Sequence, residues 1–184
     1  KIQSFLEKSF PSDIWKVLAC LGHVRDLKDD ESAVDPKDWK NLKWESTAKG
    51  KKTLKEIRDF SKNASGIYLA SDPDREGEAI AWHILDYLKD KNLIEGKQIY
   101  RISFNEITSS AIKQAVENPR DIDQFLVEAY LARRVLDHLI GFKVSPLLWR
   151  HVPRAKSAGR VQSPTLRMIC AREDEIDAFD PEEF

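Results

Sequence analysis

Apolar positions along the first 120 residues follow two alternating patterns. Short apolar runs predict three strands, at residues 15–20, 66–71 and 98–104. Apolar residues three or four positions apart lie on one helical face, and this spacing predicts helices at residues 1–9, 51–63, 76–89 and 109–118. A polar stretch at residues 28–50 predicts a loop with an edge strand. The alternation favours an α/β fold with a mostly parallel sheet and flanking helices.

After residue 121 the strand pattern stops. Helical spacing continues at residues 123–141, 144–151 and 161–178, with Pro146, Pro153 and Gly159 between or within these segments. The sequence therefore predicts an α/β domain at residues 1–120 and an all-α segment at residues 121–184.

Composition limits the class of protein. Hydrophobic residues make up 41% of the 184 positions and charged residues 33%, which is typical of a soluble globular protein. Apolar runs stay well below the roughly 20 residues that cross a bilayer, so we expect no membrane partner. Cys20 and Cys170 lack the spacing of a zinc site, and they favour a reducing compartment.

Charge is distributed unevenly along the chain. Residues 131–167 contain eight lysines and arginines against one acid, a net charge of +7. The remainder carries −8, because the whole chain has a net charge of −1. This division indicates a polyanion-binding part beside an acidic part.

The stretch SDPDREGEAIAWH (71–83) has a carboxylate at every second position: Asp72, Asp74, Glu76 and Glu78. The first two follow a predicted buried strand, and open α/β sheets bind ligands at that end. Mg²⁺ prefers such oxygen ligands and needs only one or two carboxylates plus a phosphate. Two other interpretations stay open here. The acids could complement a helix dipole on the surface, or the first aspartate could be a nucleophile, as in hydrolase-type phosphotransferases.

A second candidate site is SAGRVQS (157–163). Ser157, Ala158 and Gly159 precede a helix predicted to start near Arg160. Free N–H groups at the positive end of that helix would form an anion pocket, to which Arg160 adds charge and Gln162 an amide. The alternative is a plain helix cap with a flexible glycine.

Five motifs in order carry a resemblance across nearly the whole chain. They are LGHVRDL (21–27), LASDPDREGEAIAWHIL (69–85), RISFNEIT (101–108), LARRVLDHLIGFKVSPLLW (131–149) and KSAGRVQSPTLR (156–167). Together they resemble the type IA DNA topoisomerases, and their residues are closer to those of bacterial topoisomerase I than to those of topoisomerase III or reverse gyrase. Primases and Toprim nucleases share the DxD acids but not the longer run.

The resemblance implies a Toprim fold and an enzyme that relaxes negatively supercoiled DNA. Such enzymes cut one strand through a tyrosine that becomes joined to the 5′ phosphate. It implies Mg²⁺ bound by Asp72, Asp74 and Glu76, with a single-stranded region of DNA as partner. The implied DNA-binding residues are His23, Arg134, Val135, His138, Lys143, Arg150, Ser157, Ala158, Gly159, Arg160, Val161 and Gln162.

The family's first Toprim strand with its glutamate, and the tyrosine nucleophile, find no counterpart in these residues. We therefore expect a fragment that lacks the first Toprim strand, depends on the remaining domains of a parent chain, and neither cleaves nor relaxes DNA alone. The parent is expected in the cytoplasm (nucleoid) of a bacterium, or in a eukaryotic organelle. The alternatives are another Toprim enzyme (primase or nuclease) and a non-catalytic nucleic-acid-binding module.

Overall fold

The computed structural model of the chain describes residues 1–20, 22–39 and 41–181. Its helices are α1 Ile2–Ser9, α2 Ala48–Ser61, α3 Arg75–Asp90, α4 Ser109–Glu117, α5 Gln124–Leu139, α6 Ser145–His151 and α7 Gln162–Asp177. Its strands are β1 Arg25–Leu27, β2 Trp44–Ser46, β3 Gly66–Ala70 and β4 Gln98–Ile102. A 3₁₀ turn covers Glu31–Ala33, and a π-helical segment covers Ile140–Val144. Within the described ranges, every helix is too short or too polar to span a membrane.

The predicted α/β fold is confirmed, with a smaller parallel sheet than expected. β3 and β4 pair in parallel from Gly66 with Gln98 to Ala70 with Ile102. β1 and β2 form a separate antiparallel pair. The strand predicted at residues 15–20 is wrong, because this segment has no regular secondary structure. Its apolar side chains pack without strand pairing, as Trp15 and Val17 do against the cluster around α1 and α4.

Two apolar clusters hold the parallel sheet. Leu69 of β3 is buried together with Val24, with Leu54 of α2 and with Leu88 of α3. A second cluster contains Leu6 of α1, Ile102 of β4, and Ile112 and Val116 of α4. Helices therefore cover the sheet through the apolar faces that their sequence spacing predicts.

Side-chain caps fix the start of three helices in the α/β part. Thr47, Asp74 and Thr108 each accept a hydrogen bond from the backbone N–H three residues later, at the start of α2, α3 and α4 respectively. Such caps satisfy backbone donors that have no partner inside the helix.

The chain divides into two compact units. The first contains Lys1–Lys28 and Lys43–Ala132, and the second contains Asp29–Leu42 and Arg133–Phe184. The first unit carries both strand pairs and the acidic loop. The second is formed by helices and by the segment 29–42. The domain division at residue 120 stays a prediction.

Candidate metal and nucleic-acid site

The acidic loop of the first unit connects β3 to α3. Asp72 and Asp74 are both exposed. Asp74 is the N-cap of α3 and accepts a hydrogen bond from the N–H of Gly77 at 2.7 Å. Ser71 donates its hydroxyl to the carbonyl of Gly77 at 2.6 Å. A Cβ at Gly77 would overlap the carbonyl oxygen of Asp72 and would lie 2.8 Å from its backbone nitrogen. Glycine is therefore required where the loop folds back on the helix.

Arg101 of β4 fixes the backbone of this loop through hydrogen bonds. Its guanidinium donates to the carbonyls of Leu69 at 3.2 Å, Ser71 at 2.8 Å and Asp72 at 2.8 Å, and also to that of Ile102. The side chain is fully buried. One arginine thus fixes the backbone of the strand end and of the loop that carries Asp72 and Asp74.

Glu78 is the fourth acid of the stretch, and the structure shows that it is not a surface residue. Its side chain is fully buried and pairs with Arg101 at 3.1 Å and with Arg120 at 2.8 Å. The N–H of Asp123 also donates to it at 2.8 Å. Burial alone would raise the pKa of Glu78, but the hydrogen bonds from Arg120 and Asp123, with the charge of Arg101, outweigh burial and lower that pKa. Glu78 is therefore an ionised structural anion.

Glu76 lies on the first turn of α3 and faces His23. Nε2 of His23 is 3.2 Å from a carboxylate oxygen of Glu76. The His23 ring stacks on Tyr130 with 5.5 Å between ring centroids, and its Nδ1 is 3.4 Å from the Tyr130 hydroxyl. Two residues predicted for different roles, Glu76 for metal and His23 for DNA, therefore meet in the first unit.

His83 is buried behind this pair. Its ring lies 4.5 Å from Trp44, 4.8 Å from Trp82 and 6.1 Å from Tyr130, centroid to centroid. Neither ring nitrogen has a hydrogen-bond partner among the described residues. Burial, together with the charges of Arg25 and His23, lowers the pKa of His83 to about 3. The imidazole is therefore neutral at physiological pH and acts as an aromatic core residue.

The donor set of the acidic loop fits a magnesium ion. Asp72 makes no side-chain hydrogen bond within the described residues, and Asp74 uses one carboxylate oxygen for its cap. Two carboxylates are as many as Mg²⁺ usually takes from a protein. Across the described part of the chain, no three histidine, cysteine, aspartate or glutamate side chains form a metal-holding cluster. The third predicted ligand, Glu76, is instead paired with His23.

In the second unit, Asp137 of α5 lies between two arginines. Nε of Arg160 is 2.7 Å from one carboxylate oxygen, and Nε of Arg133 is 3.8 Å from the other. The pairing of Arg133 with Asp137 is the one that their four-residue spacing predicts. The sequence did not indicate Arg160 as its second partner, because that residue is 23 positions further along the chain.

The SAGRVQS segment is more fully hydrogen-bonded than the sequence suggests. The N–H of Ala158 donates to the hydroxyl of Ser145 at 3.0 Å, so it is not a free donor. The N–H of Gln162 donates to the carbonyl of Gly159 at 3.2 Å, and the Gln162 amide donates to Ser157 at 3.3 Å. The helix that follows, α7, begins at Gln162, one residue after the start of the predicted segment 161–178. Ser157, Val161 and Gln162 remain exposed.

The other predicted DNA-binding residues of the second unit differ in exposure. Val135 is 7% exposed and contributes to packing rather than to a surface. Lys143 and Arg150 are exposed, and Arg134 is half-buried on α5. Nε2 of His138 is 3.0 Å from the carbonyl oxygen of Asp30.

Sequence reasoning missed Arg101, Arg120 and Glu78 as the support of the acidic loop. A signal for Arg101 was present, since it is a charged residue inside the apolar run QIYRISF. A charge in a buried strand needs a buried partner. The helical position of Glu78, three residues before Ala81 on the buried face of α3, was the matching signal.

Residues 2–107, which contain the parallel strand pair and the acidic loop at its carboxyl end, match the family described as Toprim domain. Residues 121–184 match the family described as DNA topoisomerase. Over 183 residues the chain is 51% identical to DNA topoisomerase 1 of Xylella fastidiosa, which covers 100% of this chain. The chain belongs to the bacterial type IA DNA topoisomerases.

Other proteins similar to this chain are also topoisomerases. DNA topoisomerase 1 of Rickettsia bellii is 50% identical over 173 residues, or 94% of this chain. The structure of full-length topoisomerase I from Thermotoga maritima superposes with a TM-score of 0.75 at 41% identity over 98% of this chain. The chain spans 22% of the length of each of these two curated relatives and 29% of the Thermotoga chain.

Proposed function

We propose that the chain supplies the metal-binding loop and part of the single-strand path of a parent topoisomerase. The parent would relax negatively supercoiled DNA by Mg²⁺-dependent cleavage of one strand through a 5′-phosphotyrosine. The observation that carries the proposal is the pair of exposed carboxylates, Asp72 and Asp74, on a loop whose backbone is fixed by Arg101. Residues 1–120 would form the Toprim domain and residues 121–184 the start of the helical DNA-binding domain.

The residues of the loop divide the chemical tasks between them. Asp72 and Asp74 would hold the ion, which when bound supplies positive charge to phosphate oxygens. Asp74 also caps α3, so its carboxylate is held in one orientation. Glu76 is the third predicted metal-binding acid. Its pairing with His23, a predicted DNA-binding residue, supports a role for Glu76 beside the bound DNA strand.

Cations of the second unit support binding of a single strand. Arg134, Lys143, Arg150 and Arg160 all lie in the part of the chain with the net charge of +7. Binding through phosphates has little base preference and weakens steeply with salt. The nucleoid of a bacterium is the compartment we propose, because the relatives named above are bacterial proteins.

Fluorescence anisotropy with a labelled single-stranded oligonucleotide tests the proposal. The panel contains the wild type, Arg160→Ala, and a double variant with Asp72→Asn and Asp74→Asn, each over a salt series with and without Mg²⁺. We expect binding to fall with salt, Arg160→Ala to weaken it, and any Mg²⁺ dependence to disappear in the double variant.

Arg172→Ala is the matched control, because Arg172 is an exposed arginine of the same unit that pairs with Glu175 on its own helix. If Arg172→Ala weakens binding as much as Arg160→Ala, the proposed path is wrong. Supercoiled plasmid incubated with the pure chain should stay supercoiled. Any relaxation would contradict the proposal that the chain needs other domains of the parent to cleave DNA.

A further inference from the structure

An acidic segment lies within the second unit. Residues 29–38 contain five acids and one lysine, with Asp29, Asp30 and Glu31 in succession. The cations that we propose for strand binding, Arg134, Lys143, Arg150 and Arg160, belong to the same compact unit. The second unit therefore contains both the basic residues and a run of acidic residues that could pair with them.

The acidic segment has a defined conformation. Asp30 accepts hydrogen bonds from the N–H of Ser32 at 2.8 Å and from its hydroxyl at 2.6 Å, which caps the 3₁₀ turn that starts at Glu31. Ala33 and Val34 are buried, with 0% and 3% exposure. These contacts fix the backbone of the segment, whereas the Glu31 side chain is exposed.

Two predicted strand-binding residues contact this segment. The carboxylate of Glu31 pairs with the ammonium of Lys143. Nε2 of His138 is 3.0 Å from the carbonyl oxygen of Asp30, and the His138 ring stacks on Phe142 with 4.5 Å between centroids. Lys143 and His138 therefore each contact an oxygen acceptor of the protein. A phosphate oxygen of a DNA strand would have to bind at the same positions.

We infer that the acidic segment occupies the phosphate positions on Lys143 and His138, so that a single strand must displace it. The inference rests on the proposed function and adds a competitor for the same site. The ligand class is a phosphodiester chain, whose oxygens are acceptors like those of Glu31 and Asp30.

The contact is suited to exchange rather than to permanent closure. Lys143 is 53% exposed and Glu31 is 62% exposed, and ion pairs this exposed contribute little to stability and are screened by salt. A strand with several phosphates gains from counterion release at each cation. The segment should therefore reduce affinity by a small factor and should not abolish binding.

Oligonucleotide anisotropy on the complete chain tests the competition with a variant and a control of equal charge change. Glu31→Gln removes the pair with Lys143. Asp29→Asn removes one negative charge from an exposed neighbour that makes no ion pair among the described residues. At low salt we expect Glu31→Gln to bind roughly two- to fivefold more tightly than Asp29→Asn. Its salt slope should steepen by about 0.7, the value for one further phosphate on a single strand.

Lys143→Gln completes a double-variant cycle. In the wild-type background it should weaken binding less than in the Glu31→Gln background, because in the wild type a strand reaches Lys143 only by displacing Glu31. In the Glu31→Gln background it should remove the gain. A gain of binding cannot come from loss of folding.

The outcomes separate the two proposals. If the wild type binds but Glu31→Gln and Asp29→Asn bind alike, the competition is overturned and the strand path stands. If no variant binds, both are overturned. If only Glu31→Gln binds measurably, the competition is supported in its strongest form.

Discussion

The buried His83 should make the first unit sensitive to acid. Its pKa is about 3 in the folded chain against an ordinary value of 6.5. Because the folded-state pKa is lowered, its contribution to stability is fully present above pH 6.5 and is lost as pH falls towards 3. Each pH unit inside this window costs about 1.4 kcal/mol, or on the order of 4 to 5 kcal/mol over the whole window.

Replacing His83 with Phe keeps an aromatic ring among Trp44, Trp82 and Tyr130 but removes the titration. The free energy of unfolding would be measured by urea denaturation with far-UV circular dichroism at several pH values between 7.5 and 4.5. We expect the wild type to lose stability faster than His83→Phe as pH falls below 6.5.

The comparison needs a control for the loss of an imidazole as such. His151→Phe provides this control, because His151 is exposed at the end of α6. Glu78, whose pKa is lowered in the folded chain, loses its contribution to stability at lower pH in all three proteins alike. The difference between the variants therefore isolates His83. Parallel curves for the wild type and His83→Phe would show that burial of His83 does not cause the acid sensitivity.

Two further substitutions test the support of the acidic loop. Gly77→Ala should destabilise the chain by about 1–3 kcal/mol and abolish Mg²⁺ binding measured by calorimetry, since its Cβ overlaps the Asp72 backbone. Gly141→Ala is the control, because nothing lies within 4 Å of its added Cβ; it should not destabilise the chain and should leave Mg²⁺ binding unchanged. Arg101→Met breaks a fully buried pair with Glu78 and should cost about 3–5 kcal/mol in urea denaturation. Arg172→Met on exposed α7 should cost less than about 0.5 kcal/mol, and equal losses would contradict the buried role of Arg101.

Local patterns predicted most of the helices and the parallel strand pair. Apolar spacing indicated α1, α2, α3 and α4. The strand predicted at residues 15–20 failed because a short apolar run fits any buried segment, and strand pairing depends on neighbours that the run does not specify.

The acidic loop was visible in the sequence, whereas its support was indicated only by the charge of Arg101 inside an apolar run and by the helical position of Glu78. Asp72 and Asp74 are close in the chain and next to a strand, so their common loop follows from local structure. Arg101 and Arg120 reach Glu78 from 23 and 42 positions away. Such pairings depend on how the chain returns to the sheet, which no local pattern encodes.

The four acids of the stretch also bear on how this loop could be moved into another protein. Copying residues 71–78 alone would carry a carboxylate, Glu78, whose two arginines lie elsewhere in the chain. A recipient scaffold would need counterparts of Arg101 on the neighbouring strand and of Arg120 beyond the following helix. The transferable unit is therefore a set of three distant chain segments, and a linear peptide with the same letters should not reproduce the site.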